Sequence, residues 1–462
     1  MKIRTTCAAG RLSTAGRFWG NRERAAWNMT EREAGHIKQL RVDARQIMEE
    51  AIHAVLPEAA VIKALSTWQE QETKDRRKQG RLIVIAIGKA AWRMASVVSK
   101  SMDRKIDSGL VVTKYGHTQG SLDGFQIIEA GHPLPDEKSV LGAAKALQMV
   151  KDLTEYDQVM MLISGGGSAL FEKPMDGVSL REVQEVTDRL LSGGAAIGEI
   201  NTIRKRLSAV KGGRFAEACG KARILTIVLS DVLGDRLDVI ASGPMEPDQS
   251  TADEALAIAE KFHLKLADSL KKALTVQTPK KINNSHTVLA GNVDALCAAA
   301  AESSQKRGYQ PVLLTTTLDC EAREAGRMMA AIGREVCQAS PSPHAIVPPC
   351  AIIAGGETIV RVTGQGKGGR NQELALAAAL GIQDHQRLVV LSAGSDGTDG
   401  PTDAAGGMVD GESIRRMKAA GLSPEARLAD NDAYHALKAG GDLIITGPTG
   451  TNVNDLTLIL CR

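Results

Sequence analysis

The segment from Gly355 to Glu373, GGETIVRVTGQGKGGRNQE, carries the densest set of chemically capable residues in this 462-residue sequence. Four glycines fall among the six positions 364–369, with Lys367 between them and Arg370, Asn371, Gln372 and Glu373 following. A β-branched run, Thr358 to Thr363, precedes the glycines and an Ala/Leu-rich stretch comes after, so the pattern reads as strand, bare-backbone loop and helix start. Glycines let backbone amides close on an anion, a helix N-terminus adds partial positive charge, and two fixed cations strengthen the preference for a polyphosphate. Gly364, Gly366, Lys367, Gly368, Gly369 and Asn371 are therefore candidate polyphosphate-binding residues, with Arg370 beside them. Gly364, Gly366 and Gly369 also satisfy G-x-G-x-x-G, with Asp396 after the next strand, which keeps a dinucleotide open. A tight strand-to-helix connection is the bland alternative.

A second cradle lies upstream, where the apolar run Val159 to Ile163 breaks into Ser164, Gly165, Gly166, Gly167 and Ser168. Two hydroxyls flanking three glycine amides suit the carboxylate or phosphate of a small substrate. Lys89 follows the unbroken apolar run Leu82 to Ile87 and Gly88, at the carboxyl end of an expected buried strand, where open α/β sheets bind ligands. Asp231 ends the run Ile224 to Leu229 in the same way and could hold a metal, orient a hydroxyl or cap a turn. Lys211 stands before two glycines, which sets a cation beside a flexible break. His132, in Gly-His-Pro, is either an acid/base group or a turn residue. Asp396, Asp399 and Asp403 are spaced through a Gly-rich loop, an arrangement suited to a hard cation such as Mg2+, with Asp396 and Asp399 the candidate ligands.

The elements that must position these residues alternate between strand and helix. Helical periodicity covers 36–56, 137–150, 321–336 and 371–380, whereas strands are expected at 82–87, 109–113, 125–129, 159–163, 224–229, 287–290, 311–315, 351–354 and 388–392. The tail from Gly440 to Leu460 reads as a hairpin-like pair of strands. At 462 residues two α/β domains are expected, a first Rossmann-like layered parallel sheet over 36–280 and a smaller mixed α/β domain over 286–462, with polar residues 276–285 as linker. Residues 1–35 are Arg-rich and acid-poor, an extension similar to a mitochondrial transit peptide, with a disordered tail or translation from Met29 as alternatives.

Composition narrows the function classes. Basic and acidic residues number 57 and 54 and aromatics make up 3%, so neither a nucleic-acid nor a membrane partner is suggested. Seven dispersed cysteines without a C-x-x-C pair read as free thiols in a reducing, cytoplasmic setting. There is no P-loop, no H-E-x-x-H and no G-x-S-x-G.

Taken together, AIGKAAWRMA (86–95), LISGGGSALFEKP (162–174), KGGRFAEA (211–218), VLSDVLGDRLDVIASGP (228–244), GKGGRNQELALA (366–377), AGSDGTDGPTDAAG (393–406) and GPTGTNVNDL (447–456) resemble the glycerate 2-kinase family with a C-terminal MOFRL domain, some members of which carry the older label hydroxypyruvate reductase. The resemblance spans about 36–462 with its motifs in order. It implies two α/β domains with the active site in the cleft between them, and transfer of the γ-phosphoryl of ATP to the 2-hydroxyl of D-glycerate with Mg2+. Lys89 and Arg370 fall on the family's proposed catalytic lysine and arginine, and both would act on the migrating phosphate from opposite walls of the cleft. Glycerate and ATP are then the small-molecule partners, with a homodimer left open. An NAD(P)H-dependent hydroxypyruvate reductase and a non-catalytic metabolite-binding regulator are the competing readings.

Overall fold

The structure, a computed structural model, describes residues 15–72, 80–102, 104–338 and 346–462, with side chains from residue 35 onward apart from 67 and 69–72. Two six-stranded sheets organise it. The first contains β1 (Leu82–Ile87), β2 (Ser108–Lys114), β3 (Phe125–Ala130), β4 (Gln158–Ile163), β5 (Arg223–Leu229) and β6 (Ser285–Gly291), in the order β3-β2-β1-β4-β5-β6 with every pair parallel. A parallel sheet is covered on both faces, which is why β1 and β4 are buried along their whole length. On one face Val84 and Ala86 pack with Met94 and Val98 of the helix Ala91–Ser101, and on the other Ile83 and Ile85 pack with Ala143 and Ala146 of the helix Glu137–Met149.

The second sheet contains β7 (Gln310–Leu318), β8 (Cys350–Gly356), β9 (Leu388–Gly394), β10 (Gly406–Asp410), β11 (Leu443–Ile444) and β12 (Asp455–Cys461). Its order is β11-β10-β9-β12-β8-β7, parallel only between β7 and β8. The helices Ala15–Ala54 and Val293–Lys306 cover one face, and Ala322–Val336, Arg370–Gly381 and Ala433–Gly440 cover the other.

Several expectations change. β6 continues the first sheet, so the chain passes to the second sheet after Gly291 rather than at 286. The helix Ala15–Ala54 reaches back through residues expected to form a disordered extension, while residues 1–14 lie outside the described ones. Its inward face (Leu40, Ala44, Ile47, Met48) belongs to the core of the second sheet, and Arg41 ion-pairs with buried Asp410 and Asp442. The run Thr358 to Thr363 is a loop with a single bridge, Ile359 to Glu321, and no strand. The two C-terminal strands do not pair: β12 is central, between β9 and β8, and β11 sits at the edge. Among the described residues no helix is long and apolar enough to cross a membrane.

Candidate functional site

The order of the first sheet reverses between β1 and β4, the point where crossovers leave to opposite sides and open a crevice at the strands' carboxyl ends. Lys89 follows β1 there, and Ser164 to Gly167 follow β4. The two turns are tied together: the Lys89 amide donates to the Gly165 carbonyl at 2.9 Å, and the Ala90 amide donates to the Ser164 hydroxyl at 3.0 Å. Gly88 has φ of +113° and lies flush against Ser164, a close approach that no side chain fits. Ser164 is buried and Ser168 is hydrogen-bonded to Ser242 at 2.8 Å, so both hydroxyls brace the loop. The amides of Gly165, Gly166 and Gly167 make no protein hydrogen bond among the described residues and are left as the anion cradle.

Asp231 follows β5, and its carboxylate lies over Gly165. Burial raises its pKa, with Lys89 opposing. His132 touches the outer side of Gly166; burial, then Lys89, Lys114 and His117, lower it to about 4, so this imidazole is neutral at neutral pH. Lys89, Ser164, Gly165 and His117 line a cavity of about 190 Å³ whose other wall comes from the second sheet: Asp396 and the loop containing Gly450 and Thr451.

Arg370 lines a different cavity of about 710 Å³, together with Gly366, Gly368, Gly369, Glu357 and Asp399 and the apolar Leu233, Ile359, Val360 and Val362. The guanidinium pairs with Asp455 (2.5 Å) and Glu357 (3.1 Å). Burial disfavours its charge, but these carboxylates more than offset that and raise its pKa. Lys89 and Arg370 thus line two cavities. Asn454 Nδ2 donates both to the Asp231 carbonyl (3.0 Å) and to Glu357 Oε2 (3.2 Å). Asn454 Oδ1 is buried with no hydrogen-bond partner among the described residues, and burial raises the Glu357 carboxyl.

Other expected residues are used differently. The amides of Thr363 and Gly364 donate to Asn431 Oδ1, Gln365 and Gly366 to Asp430, and Lys367 to Asp432. Gly364 and Gly366 are needed for that close packing, so the loop is not an open cradle; only the amides of Gly368 and Gly369 remain unpaired among the described residues. The Lys367 ammonium sits 4.6 Å from the Tyr434 ring centre, and Asn371 is buried, accepting from Ser392 at 2.6 Å. Asp399 accepts from the Asn371 amide (3.2 Å) and the Gln372 amide (2.8 Å), a cap for the helix Arg370–Gly381 that its own N-cap glycine cannot supply. Each Asp399 oxygen accepts from a backbone amide and burial raises its carboxyl to about 6, whereas Asp396 lines the smaller cavity. Lys211 is fully buried, paired with Glu172 at 2.9 Å and bonded to the Phe171 carbonyl, and does not reach the crevice. Sequence reading passed over Glu357, Asn431, Asn454 and Asp455. The polar run TNVND was the signal available for the last two.

Residues 43–275 match a domain of unknown function, DUF4147, and residues 350–455 match the MOFRL family. The chain is 50% identical over 415 residues to a D-glycerate 2-kinase from Thermotoga maritima, covering 90% of this chain and 97% of that one. It is 41% identical over 429 residues to a glycerate 2-kinase from Pyrococcus horikoshii, covering 90% and 96%. The crystal structure of glycerate kinase from Thermotoga maritima superposes with a TM-score of 0.88 at 49% identity, covering 92% of this chain and all of that one.

Proposed function

Because the chain belongs to the glycerate 2-kinase family with a C-terminal MOFRL domain, we propose that it moves the γ-phosphoryl group of ATP onto the 2-hydroxyl of D-glycerate. The observation that carries the reading is the pair of unequal cavities, one lined by Lys89 and Gly165 and the other by Arg370 and Glu357, with Asn454 hydrogen-bonded both to Asp231, whose carboxylate lies over Gly165, and to Glu357. The smaller suits a three-carbon acid, its carboxylate on the amides of Gly165 to Gly167 and its charge met by Lys89. The larger suits a nucleotide, its base against Leu233, Ile359 and Val362 and its phosphates toward the amides of Gly368 and Gly369 and the Arg370 guanidinium.

In the reaction the 2-hydroxyl oxygen bonds to the γ-phosphorus, the bond to the β–γ bridging oxygen breaks, and ADP leaves. Asp231 takes the hydroxyl proton, a role suited to a buried carboxyl with a raised pKa. Lys89 and Arg370 neutralise charge on the phosphoryl oxygens from the two sides. The orphaned Asn454 Oδ1, with the Glu357 carboxylate and the Asp231 backbone carbonyl beside it, offers oxygen donors that fit Mg2+. That ion, when bound, supplies neutralisation of the nucleotide phosphates. The test is phosphorus NMR of the product from ATP and D-glycerate: 2-phosphoglycerate is expected, and Lys89→Ala should abolish its formation while leaving the circular dichroism spectrum unchanged. NADH oxidation by hydroxypyruvate, with no glycerate-dependent ADP, would overturn the reading.

A further inference from the structure

The seven cysteines look scattered in sequence, yet the fold gathers three of them at the end of the second sheet remote from Arg370. Cys350 opens β8 and Cys461 closes β12, and the antiparallel register sets them directly opposite one another. Residues so paired project from the same face, here the face packed against the helix Ala322–Val336. Cys337 caps that helix, and its Sγ lies 3.7 Å from the Arg387 carbonyl oxygen, which also accepts the Arg462 amide. Cys350 and Cys461 lie in one buried cluster and Cys337 packs against it, beside the backbone that pairs with the residue next to Cys461.

The three are not equivalent. Cys350 and Cys461 are fully buried, whereas Cys337 is partly exposed. Contact with Cys461 and the nearby Arg387 guanidinium hold the Cys337 thiol below its usual range, while contact with Cys337 and Cys350, with burial, pushes Cys461 up. An accessible sulfur with thiolate character beside a protected second thiol is the arrangement of a peroxide-reactive cysteine and its resolving partner.

We propose that Cys337 and Cys461 form a reversible thiol–disulfide site, oxidised by hydroperoxides, that fastens the end of the helix Ala322–Val336 to the last strand. The Cys337 thiolate attacks a peroxide oxygen; an S–O bond forms, the O–O bond breaks, and water or an alcohol leaves after protonation. The Cys461 sulfur then attacks the sulfenic sulfur; the S–S bond forms, the S–O bond breaks, and the departing hydroxide leaves as water with the Cys461 proton. Two thiols thus reduce one peroxide by two electrons, and an external dithiol reverses the step by exchange. Cys350 remains a thiol.

The test uses the full-length protein treated with hydrogen peroxide, counting free thiols after denaturation and mapping non-reduced tryptic peptides. Trypsin leaves Cys337 and Cys350 in one peptide, 335–361, and Cys461 in another, 439–462, so variants make the assignment. The expected result is a cross-link between these peptides, cleared by dithiothreitol, kept in Cys350→Ala and in Cys320→Ser and lost in Cys337→Ser. In Cys461→Ser, dimedone should trap a sulfenic acid at Cys337. Oxidation confined to exposed Cys320, or a cross-link that persists in Cys337→Ser, would overturn the proposal.

Discussion

The contact between Gly165 and Asp231 permits a test of the proposed proton acceptor that leaves its carboxylate in place. A methyl group built on Gly165 falls inside the contact radius of Asp231 Oδ2 and 3.0 Å from its Cγ, while the Gly165 backbone lies outside the left-handed region and tolerates a side chain. Gly165→Ala must therefore act by moving the carboxylate, by about 1 Å to restore ordinary contact. Displacement of that size at a reacting centre costs about 100-fold, or about 2.7 kcal/mol of transition-state stabilisation. Overpacking should cost about 1–3 kcal/mol in stability, detectable separately by urea unfolding. We expect kcat for glycerate-dependent ADP release, followed in a coupled assay, to fall by about two orders of magnitude. Asp231→Ala should fall further, and the double variant should match Asp231→Ala alone, because the methyl then has nothing to displace. Independent, multiplicative losses in the double variant would refute the reasoning, as would a kcat for Gly165→Ala within about threefold of the parent.

Three further expectations follow from the same geometry. Asp399, raised to about 6 by burial, binds its proton more tightly in the native than in the unfolded chain, so its contribution to stability falls as pH rises from about 4 to about 6 and stays low above that. Asp399→Asn should remove this slope in Tm measured across that window, and parallel curves for the two proteins would contradict it. Glu172→Ala strands the buried Lys211 ammonium, which burial lowers to about 8, and should destabilise the protein by about 3–5 kcal/mol in urea titration. Replacing both partners with Leu and Met should cost much less; equal losses would show that the charge is not the cause. Lys367→Ala should leave KM for ATP within about threefold of the parent, since its ammonium rests on Tyr434 and cation–π contacts of this kind contribute only about 0.5–1 kcal/mol to local packing. A large rise in KM would return Lys367 to the nucleotide.

The parts of the site legible in the sequence were those whose signal is local. An unbroken apolar run stopped by glycine marks a buried strand and its carboxyl end, which located Lys89 and the Gly165 to Gly167 cradle at the reversal between β1 and β4. The loop before Arg370 misled because its amides are spent on Asp430, Asn431 and Asp432, more than sixty positions later, and nothing in Gly-Gln-Gly-Lys reveals that debt. The run Thr358 to Thr363 has strand composition but lies beyond the end of β8, where its backbone finds no ladder apart from one bridge. Lys211 looked available because Glu172, its partner, is separated from it by a helix pair. β10 escaped notice because two of its five residues are glycines, where Ser392 and Leu437 crowd the backbone.

The position of β12 has a consequence for how the molecule is made. Emerging from the ribosome after both, it must slot between β8 and β9, which have no direct ladder to hold them together beforehand. The helix Ala15–Ala54, synthesised before these strands, waits with its greasy stripe uncovered until that insertion closes the surface it docks on. Birth order and assembly order thus run in opposite senses, and a nascent chain halted near residue 450 would hold a finished first sheet beside an unsealed second one, a natural client for chaperones.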